Sequence, residues 1–275
     1  MTTTRAAIIT GASSGIGRAL ALHLTTRGIG VLLVGRDAER LRNVREDIMA
    51  HGGNAHHLVA DVGQEAHAAR IVEACLNAFQ RIDLLVNNAG VGHYQPFLEM
   101  TPDVYMRVSQ TNWCAVLHVT SKVLPVMKAQ GQGAIVNISS VGAMTGVPYR
   151  SIYGATKAAI RNWSRSLYLE LRPFGIHVLC VVPGSTATRF FENMLGQPPM
   201  VHAMPGRVMS PDKVAQLIWR GLETRQREVI LSPMGRLVDL ANRFSPSWID
   251  AVADLQHRRT AKVESTTSQA HGAQQ

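Results

Sequence analysis

The chain repeats one pattern along most of its length: a short apolar run is followed by a longer stretch with helical spacing. The apolar runs lie at Arg5–Thr10, Gly30–Val34, His57–Ala60, Ile82–Val86, Ala134–Ser139, Ile176–Val182 and Glu228–Leu231. Runs without polar alternation are typical of strands that are buried on both faces. Strands that alternate with helices form parallel sheets through right-handed crossovers. The sequence therefore predicts an α/β fold with a doubly wound parallel sheet of about seven strands.

A glycine-rich turn joins the first apolar run to the first helical stretch. Gly11, Gly15 and Gly17 follow Thr10 in the spacing Gly-x-x-x-Gly-x-Gly. Glycines let the backbone approach a pyrophosphate closely, and the start of the following helix attracts the anion. A tight structural turn is the alternative interpretation. The position between a strand and a helix favours a dinucleotide-binding turn, and with it a Rossmann-type fold.

Tyr153 and Lys157 lie four residues apart in a stretch with helical spacing, which places both side chains on one helix face. A nearby ammonium group favours the phenolate and lowers the pKa of a tyrosine, so the pair can serve as a general acid and base. Ser140 ends the preceding apolar run, where its hydroxyl can face the same pocket and hold a substrate oxygen. Taken alone, a tyrosine and a lysine at this spacing are usually two exposed side chains on a helix surface.

Composition narrows the classes of function. The 275 residues carry a net charge of +9, but the basic residues are scattered and aromatics make up only 5%. That distribution argues against a nucleic-acid-binding protein and leaves anionic small molecules or an anionic membrane surface. Cys75, Cys114 and Cys180 are far apart in apolar contexts. This spacing predicts buried free thiols, no metal site and a reducing, cytoplasmic location. We see neither a secretion signal nor a membrane span.

The chain divides into three parts. Residues 1–235 are predicted to form the α/β domain, in which residues 189–209 form a mobile apolar flap. Residues 236–259 read as a C-terminal extension of two short amphipathic helices. We expect the extension to bury its apolar residues against the domain or a partner subunit; contact with a membrane surface is the alternative. The apolar residues in question are Leu237, Leu240, Phe244, Trp248 and Leu255. Residues 260–275 are polar and are predicted to be disordered.

The order of these motifs resembles that of the single-domain short-chain dehydrogenase/reductase family. The resemblance spans about residues 5–232 and depends on seven motifs in the family's order and spacing. They are Thr10-Gly11-x-x-x-Gly15-x-Gly17, Asp61-Val62, Asn87-Asn88-Ala89-Gly90, Asn112, Ser140, Tyr153-x-x-x-Lys157 and Pro183-Gly184-x-x-x-Thr188. Each motif is weak alone, but the ordered set is highly specific.

The resemblance implies a catalytic set of Ser140, Tyr153, Lys157 and Asn112. Tyr153 would be the acid in carbonyl reduction and the base in alcohol oxidation, with its pKa lowered by Lys157. Ser140 would hydrogen-bond the substrate oxygen, and Asn112 would support a water that links Lys157 to solvent. Ser139 is a rival for the hydroxyl role, but alternation along the strand turns it to the other side.

The resemblance also implies a cofactor-binding set. Lys157 would bind the nicotinamide ribose, Thr188 the carboxamide, Asp61 the adenine, and the backbone around Asn88 the adenosine ribose region. The full set is Gly11, Ser13, Ser14, Gly15, Ile16, Gly17, Arg36, Asp61, Val62, Asn88, Ala89, Gly90, Tyr153, Lys157, Pro183, Gly184, Thr186 and Thr188.

The end of the second strand predicts NADP(H) over NAD(H). In dinucleotide folds an acidic residue at this point accepts hydrogen bonds from the adenosine ribose and repels a 2′-phosphate. This chain has Gly35 there, followed by Arg36, whose guanidinium is suited to phosphate. Asp37 leaves an alternative open, because it could neutralise Arg36 or turn towards the ribose.

Together these features predict an NADP(H)-dependent oxidoreductase that interconverts a ketone or aldehyde and an alcohol. The flap and the extension resemble members that act on steroids or other lipid ketones, so we expect an apolar substrate. The family's usual pairing implies a homodimer or homotetramer through helices spanning about 101–128 and 153–171. The alternative is a non-catalytic NADP(H)-binding sensor on the same fold. Such sensors typically lack the tyrosine or the lysine, and this chain keeps both.

Overall fold

The computed structural model describes residues 5–190, 192, 194–196 and 208–255. Its strands, in chain order, are β1 (Ala6–Thr10), β2 (Gly30–Gly35), β3 (Ala55–Val59), β4 (Leu84–Asn87), β5 (His93–Tyr94), β6 (Gly133–Ile138), β7 (Ile176–Val182), β8 (Leu195–Gly196) and β9 (Glu228–Ile230). Seven of them form one sheet in the order β3-β2-β1-β4-β6-β7-β9. Every neighbouring pair in it is parallel, which confirms the predicted fold class.

Helices connect the strands and cover both faces of the sheet. They are α1 (Gly15–Thr25), α2 (Ala38–Ala50), α3 (Glu65–Phe79), α4 (Pro102–Ser109), α5 (Ala115–Gln130), α6 (Ser151–Leu171), α7 (Pro211–Glu223), α8 (Pro233–Phe244) and α9 (246–255). Helices α4 and α5 are joined without a break by a π-helical turn at Gln110–Cys114. Proline occupies the start of α4, α7 and α8, where its missing amide hydrogen breaks no helical hydrogen bond.

The core consists of two apolar layers, one on each face of the sheet. Along β1, Ala7 and Ile9 join the layer under α1, α2 and α7, whereas Ala6 and Ile8 join the layer under α3, α5 and α6. Both faces of the strand are therefore buried, which is why its sequence shows no polar alternation.

The strand order reverses between β1 and β4. From β1 the chain proceeds outwards through β2 and β3, and it then returns to build β4, β6, β7 and β9 on the other side. The loops that leave the two central strands consequently separate in opposite directions and open a crevice at the carboxyl edge of the sheet. Open α/β sheets bind their ligands at such reversals.

Two details of the fold differ from the sequence-based expectation. Strand β3 is Ala55–Val59, so it begins two residues before the predicted His57–Ala60. A second, two-stranded sheet was not predicted: His93 pairs with Leu195 and Tyr94 with Gly196. This parallel ladder connects the segment after β4 to the predicted flap, of which only residues 189–190, 192, 194–196 and 208–209 are described.

The C-terminal extension is helical in its described part, but its own domain does not bury the apolar residues named above, so burial against a partner subunit and contact with a membrane surface remain predictions. Leu237, Leu240, Phe244, Trp248 and Leu255 are between 52% and 82% exposed in this chain. The domain contacts the other face of the extension, through Val238 of α8 and the buried Ile249 of α9. The predicted disordered tail, residues 260–275, lies outside the described residues. Within the described part, no helix is both long and apolar enough to cross a bilayer.

Candidate active site

A cavity of about 340 Å³ lies at the carboxyl edge of the sheet. The segments that follow β1, β2, β3, β4, β6 and β7 line it, together with the N-terminal turns of α6. The structure brings together every predicted cofactor-binding residue in its wall except Gly17. Of the predicted catalytic set, Ser140, Tyr153 and Lys157 line the cavity and Asn112 lies behind its wall.

The glycine-rich turn forms the floor of the cavity near β1. Gly11 and Gly15 have φ angles of +65° and +55°, a region that L side chains rarely adopt. A Cβ at Gly11 would lie 2.9 Å from Asn88 Nδ2, and one at Gly15 would lie 2.9 Å from Thr188 Cγ2. Both positions therefore require glycine for conformation and for space. The turn leads directly into α1, whose first turn carries no acidic side chain that would repel an anion.

Gly17 has a different role from the one predicted. It is buried within α1 and does not line the cavity. A Cβ there would overlap the Gly11 carbonyl oxygen and approach Asn88 Nδ2 to 2.7 Å. The residue is glycine because the helix packs closely on the turn behind it, and we remove it from the cofactor-contacting set.

Thr10 and Asn88 join the two loops that diverge at the strand reversal. The Thr10 hydroxyl donates to Val86 O at 3.1 Å and accepts from the amides of Asn88 and Ala89 at 3.0 and 3.1 Å. Asn88 Nδ2 donates back to Thr10 O at 2.9 Å and to Gly11 O at 3.1 Å. The glycine turn and the loop after β4 are thus held rigidly together, which preorganises the cavity.

Tyr153 lies in the first turn of α6 and is 8% exposed. Its hydroxyl adjoins that of Ser140, which accepts the Gly142 amide at 3.2 Å. The ring of Phe190 lies 5.8 Å from that of Tyr153. Ser139 points elsewhere and donates to the Lys157 carbonyl at 2.8 Å. Ser140 is therefore the serine whose hydroxyl adjoins Tyr153.

Burial raises the pKa of Tyr153 above its ordinary value, because the phenolate would lose hydration. The hydrogen bond from Ser140 and the positive charge of Arg150 act in the opposite direction. We expected Lys157 to lower this pKa, but here the groups that lower it are Ser140 and Arg150. The prediction treated Lys157 as the only nearby cation and did not include Arg150, one helical turn before Tyr153.

Lys157 is buried on the same face of α6, and its ammonium donates to Ile138 O at 2.9 Å. Burial lowers the pKa of this lysine to about 8. No carboxylate of the described residues forms an ion pair with it. The wall of the cavity therefore contains a buried ammonium group with few hydrogen-bond acceptors. A ligand that brings acceptors into the cavity would stabilise its charged form.

Asn112 is fully buried in the π-helical turn, and both the oxygen and the nitrogen of its side-chain amide form hydrogen bonds. Its Oδ1 accepts the Val91 amide at 2.8 Å, and its Nδ2 donates to Val91 O at 3.0 Å and to Thr156 Oγ1 at 3.3 Å. Gly90 separates it from Lys157: a Cβ there would lie 3.2 Å from Asn112 Oδ1 and 3.4 Å from Lys157 Nζ. Asn112 thus fixes the loop beside Lys157.

A family model described as short chain dehydrogenase matches residues 5–198, which is most of the chain. The chain belongs to the short-chain dehydrogenase family. It is therefore an oxidoreductase of a family that uses nicotinamide dinucleotides. The family assignment agrees with the seven motifs and with the parallel sheet.

Individual short-chain dehydrogenases resemble the chain over most of its length. It is 35% identical over 260 residues to the uncharacterized oxidoreductase YusZ of Bacillus subtilis, covering 86% of this chain and 91% of that one. A short-chain dehydrogenase/reductase of Burkholderia phymatum, solved with NAD, superposes with a TM-score of 0.79 at 26% identity, over 90% and 98% of the two chains. A metagenomic short-chain oxidoreductase, solved with NADP, gives 0.70 at 32%, over 82% and 96%.

The end of the cavity next to β2 has two arginines, of which only one was predicted from the sequence. Arg36 and Arg40 both line it, one at the end of β2 and the other in the first turn of α2. Asp37 caps α2 by accepting the Arg40 amide at 3.0 Å, and its other oxygen lies 3.1 Å from Arg40 Nε. In this dehydrogenase Asp37 therefore pairs with Arg40 and leaves Arg36 without that neutralising partner. The four-residue spacing to Arg36 was the available signal for Arg40.

Sequence reasoning also missed Arg150 and Phe190. Tyr149, just before Arg150, has a φ of +65°, and its carbonyl accepts the Gln95 amide at 2.8 Å. The Arg150 guanidinium lies over the ring of Tyr94, 5.8 Å from its centroid. The strained turn and the ring contact hold Arg150 at the cavity. Its three-residue spacing to Tyr153 was a usable signal, whereas nothing in the sequence singled out Phe190.

Proposed function

We propose that this dehydrogenase is an NADP(H)-dependent enzyme that interconverts a ketone or aldehyde and an alcohol, with Ser140, Tyr153 and Lys157 as its catalytic groups and Asn112 supporting them. The observation that carries the proposal is that Ser140, Tyr153 and Lys157 line the same cavity, with Ser140 beside Tyr153 and Lys157 one turn further along α6. Structural surface pairs of tyrosine and lysine are exposed, and this pair is buried at the ligand-binding edge of the sheet.

The residues at the cavity fit a dinucleotide. Gly11 and Gly15 present no Cβ to the cavity, Ser13 and Ser14 between them line it with small polar side chains, and the turn opens a helix with no acidic first turn. These features suit a pyrophosphate. Lys157 would bind ribose hydroxyls, which supply the hydrogen-bond acceptors that its buried ammonium lacks. Thr188, which touches Gly15, would lie towards the nicotinamide end and Asp61 towards the adenine.

When bound, the cofactor supplies or accepts a hydride at the substrate carbon. Tyr153 supplies the proton to the carbonyl oxygen in reduction and removes it from the alcohol in oxidation. Ser140 holds that oxygen and stabilises the negative charge that develops on it. Asn112 keeps the loop at Val91 and Gly90 in place beside Lys157, and the water relay predicted for it remains part of the proposal.

The preference for NADP(H) is supported by three features at the end of β2. Gly35 replaces the acidic residue that would repel a 2′-phosphate. Arg36 and Arg40 offer two guanidinium groups, and Asp37 is held by Arg40 and the α2 cap. A Cβ at Gly35 would only touch Leu41 side-chain atoms at 3.5–3.7 Å, so an acidic side chain can be introduced there without displacing backbone.

The test measures kcat/KM for NADPH and NADH in the wild type and in Gly35→Asp/Arg36→Ala. The wild type should prefer NADPH by about ten- to a hundredfold, the value of one arginine–phosphate interaction. The double variant should lose or reverse that preference. Arg42→Ala is the matched control, because Arg42 is an exposed arginine of α2 that does not line the cavity. A wild-type preference for NADH would overturn the assignment.

An apolar substrate is supported by the side chains around Tyr153. Phe190 packs against its ring, and Val91 and Val141 line the cavity nearby. Oxidation of NADPH with a panel of alkyl, aryl and polycyclic ketones tests both turnover and this preference. If NADPH binds but no carbonyl compound is reduced, the chain is instead a non-catalytic sensor of the cofactor.

Assembly and location are also part of the proposal. Pairing through α4, α5 and α6 is supported by exposed apolar residues such as Met106 and Leu169, 50% and 63% exposed. Light scattering after size exclusion measures this directly. A cytoplasmic location is supported by the three cysteines, all of them free thiols: Cys75 and Cys180 are buried as predicted, whereas Cys114 is partly exposed.

A further inference from the structure

The two C-terminal helices carry an apolar stripe on the side that faces away from the domain. We call it the C-terminal apolar face; it comprises Met234, Leu237, Leu240, Phe244, Trp248, Val252 and Leu255. These side chains are between 37% and 82% exposed. They recur every three or four residues within each helix, so they share one face. Contiguous apolar patches of this kind mark interaction surfaces.

The opposite side of the same helices is already occupied. Val238 packs on the small core cluster around Met144, and Asn242 Nδ2 donates to Met144 O at 2.8 Å. Asp239 forms an ion pair with Arg161 of α6 at 2.7 Å. Ile249 anchors α9 and is 8% exposed. Because α8 and α9 are fixed through these contacts, they cannot rotate the C-terminal apolar face onto their own domain.

The charged residues around the C-terminal apolar face indicate what kind of partner covers it. Arg236 and Arg243 flank it on α8 and are exposed. Three acidic residues lie on these helices, off the apolar face by helical spacing. Asp239 pairs with Arg161 and with Arg243, Asp250 lines a small cavity beside Met144, and Asp254 follows Asp250 by one helical turn. Beyond α9 the sequence continues with His257, Arg258, Arg259 and Lys262, and the whole chain carries +9.

This combination favours an anionic lipid surface over a second copy of the chain. A symmetric pair would bring two copies of this net-basic surface together, which is repulsive. Tryptophan, phenylalanine and leucine on one face with arginine at its margin is the composition of helices that lie in the membrane interface. Basic residues next to such a face add attraction to anionic headgroups.

We propose that α8 and α9 bind the surface of an anionic phospholipid bilayer through the C-terminal apolar face, with the flanking arginines at the headgroups. The helices lie along the surface and do not span the bilayer. This membrane contact is independent of the reaction proposed above, so either proposal can fail without the other.

The experiment is flotation of the full chain with vesicles of phosphatidylcholine and phosphatidylglycerol, compared with phosphatidylcholine alone. The wild type should float with the anionic vesicles, and high salt should weaken the binding. Phe244→Ser/Trp248→Ser should bind at least about tenfold more weakly. Both residues are exposed, so its melting temperature should equal that of the wild type.

The matched control is Met49→Ser/Val59→Ser, which removes two exposed apolar side chains near β3, at the sheet edge opposite to β9 and α8. It should float like the wild type. Trp248→Phe should keep binding but lose the blue shift in tryptophan emission that anionic vesicles produce in the wild type, because Trp248 enters the interface.

Three results would overturn the proposal. One is a wild type that does not float with anionic vesicles, or that floats equally with phosphatidylcholine alone. Another is a Phe244→Ser/Trp248→Ser variant that floats like the wild type. The third is a lipid-free wild type that is larger by light scattering than this variant, since the C-terminal apolar face would then be an interface between copies.

Discussion

Helix α6 contains a buried lysine and, one turn later, a partly buried arginine, and the two cations have opposite surroundings. Lys157 is 4% exposed, and its ammonium donates to a single backbone carbonyl, that of Ile138. The Arg161 guanidinium forms a bidentate pair with Glu228 at 2.7 and 2.8 Å and a second pair with Asp239 at 2.7 Å. Burial lowers the pKa of Lys157, whereas the two carboxylates raise the pKa of Arg161.

The difference between their surroundings distinguishes a structural residue, Arg161, from a ligand-facing residue, Lys157, within one helix. Arg161 ties α6 to β9 and α8, so it contributes to the position of the sheet edge and of the C-terminal helices. Lys157 has no such partners and faces the cavity, where a ligand can supply them. A buried cation without an anion lowers stability, and its retention is typical of a binding or catalytic group.

The largest expected effect is the loss of turnover on substitution of Tyr153, which lies one turn before Lys157 in α6. Tyr153→Phe should reduce kcat for carbonyl reduction by about 10²- to 10⁴-fold, the usual contribution of a general acid. NADPH affinity, measured by fluorescence titration, should change little because the ring and its packing against Phe190 are kept. Tyr149→Phe is the control and should retain activity. Near-normal turnover by Tyr153→Phe would show that another group transfers the proton.

The next effect concerns the architectural cation. Arg161→Met should lower the free energy of unfolding by about 2–4 kcal/mol, because it leaves Glu228 and Asp239 half-buried without their partner. Arg243→Met removes the exposed partner of Asp239 and should change stability by less than about 1 kcal/mol. Denaturant titration of the two variants measures the contrast. Equal losses would mean that burial does not distinguish the two ion pairs.

Substitution of Lys157 is expected to raise stability, whereas substitution of Arg161 lowers it. Lys157→Met should raise the stability of the cofactor-free protein by about 1–2 kcal/mol at pH 7, while turnover is lost. The folded pKa of about 8 lies below the ordinary value of 10.5, so the unfolded chain binds this proton more tightly. The penalty in the wild type is therefore complete below about pH 8.

As pH rises from about 8 to 10.5 that penalty is progressively relieved, because the native state has already released the proton. The stability advantage of Lys157→Met should shrink over this window and vanish above it. Denaturant midpoints of both proteins at pH 7 and pH 10 provide the measurement. A variant that is less stable than the wild type at pH 7 would show that the contact with Ile138 O outweighs the burial of the charge.

The contrast also shows what the sequence could predict. Periodicity and the glycine spacing were sufficient for the parallel sheet, because buried strands and close backbone approaches require particular residues in order. Tyr153, Lys157 and Ser140 were identified from spacing along one helix and one strand end. The pairing of Arg161 was not identified, because Glu228 and Asp239 come together only after β9 and α8 have folded against α6.

The exposed side of the C-terminal helices was beyond sequence reasoning for a related physical reason. An amphipathic period identifies two faces but does not say which one meets the domain. In α8 the domain contacts Val238 and Asn242 at Met144, and it pairs Asp239 with Arg161. The more apolar face of Leu237 and Phe244 is left outside. The π-helical turn at Asn112 was likewise hidden, since its cause is a contact with the distant backbone of Val91.

The smallest expected effect tests which cation acts on Tyr153. Arg150 lies one turn before Tyr153 at the cavity, and its positive charge lowers the pKa of the phenol. Arg150→Met removes that charge and should raise the pKa of Tyr153. Alcohol oxidation requires the phenolate, so the rising limb of kcat against pH should move to higher pH. Arg150→Lys keeps the charge, so the rising limb should lie close to its wild-type pH.

The readout separates this effect from a structural one. Loss of the Arg150 contact with the Tyr94 ring could lower kcat at every pH, but it would not move the limb. The other groups near the phenol, Ser140 and Lys157, are unchanged in both variants. If Arg150→Met leaves the limb in place, the charge that governs Tyr153 during turnover is that of Lys157, as the sequence first suggested. If the limb moves in Arg150→Met and returns in Arg150→Lys, the two cations have separate roles. Arg150 then lowers the pKa of Tyr153, and Lys157 binds the cofactor.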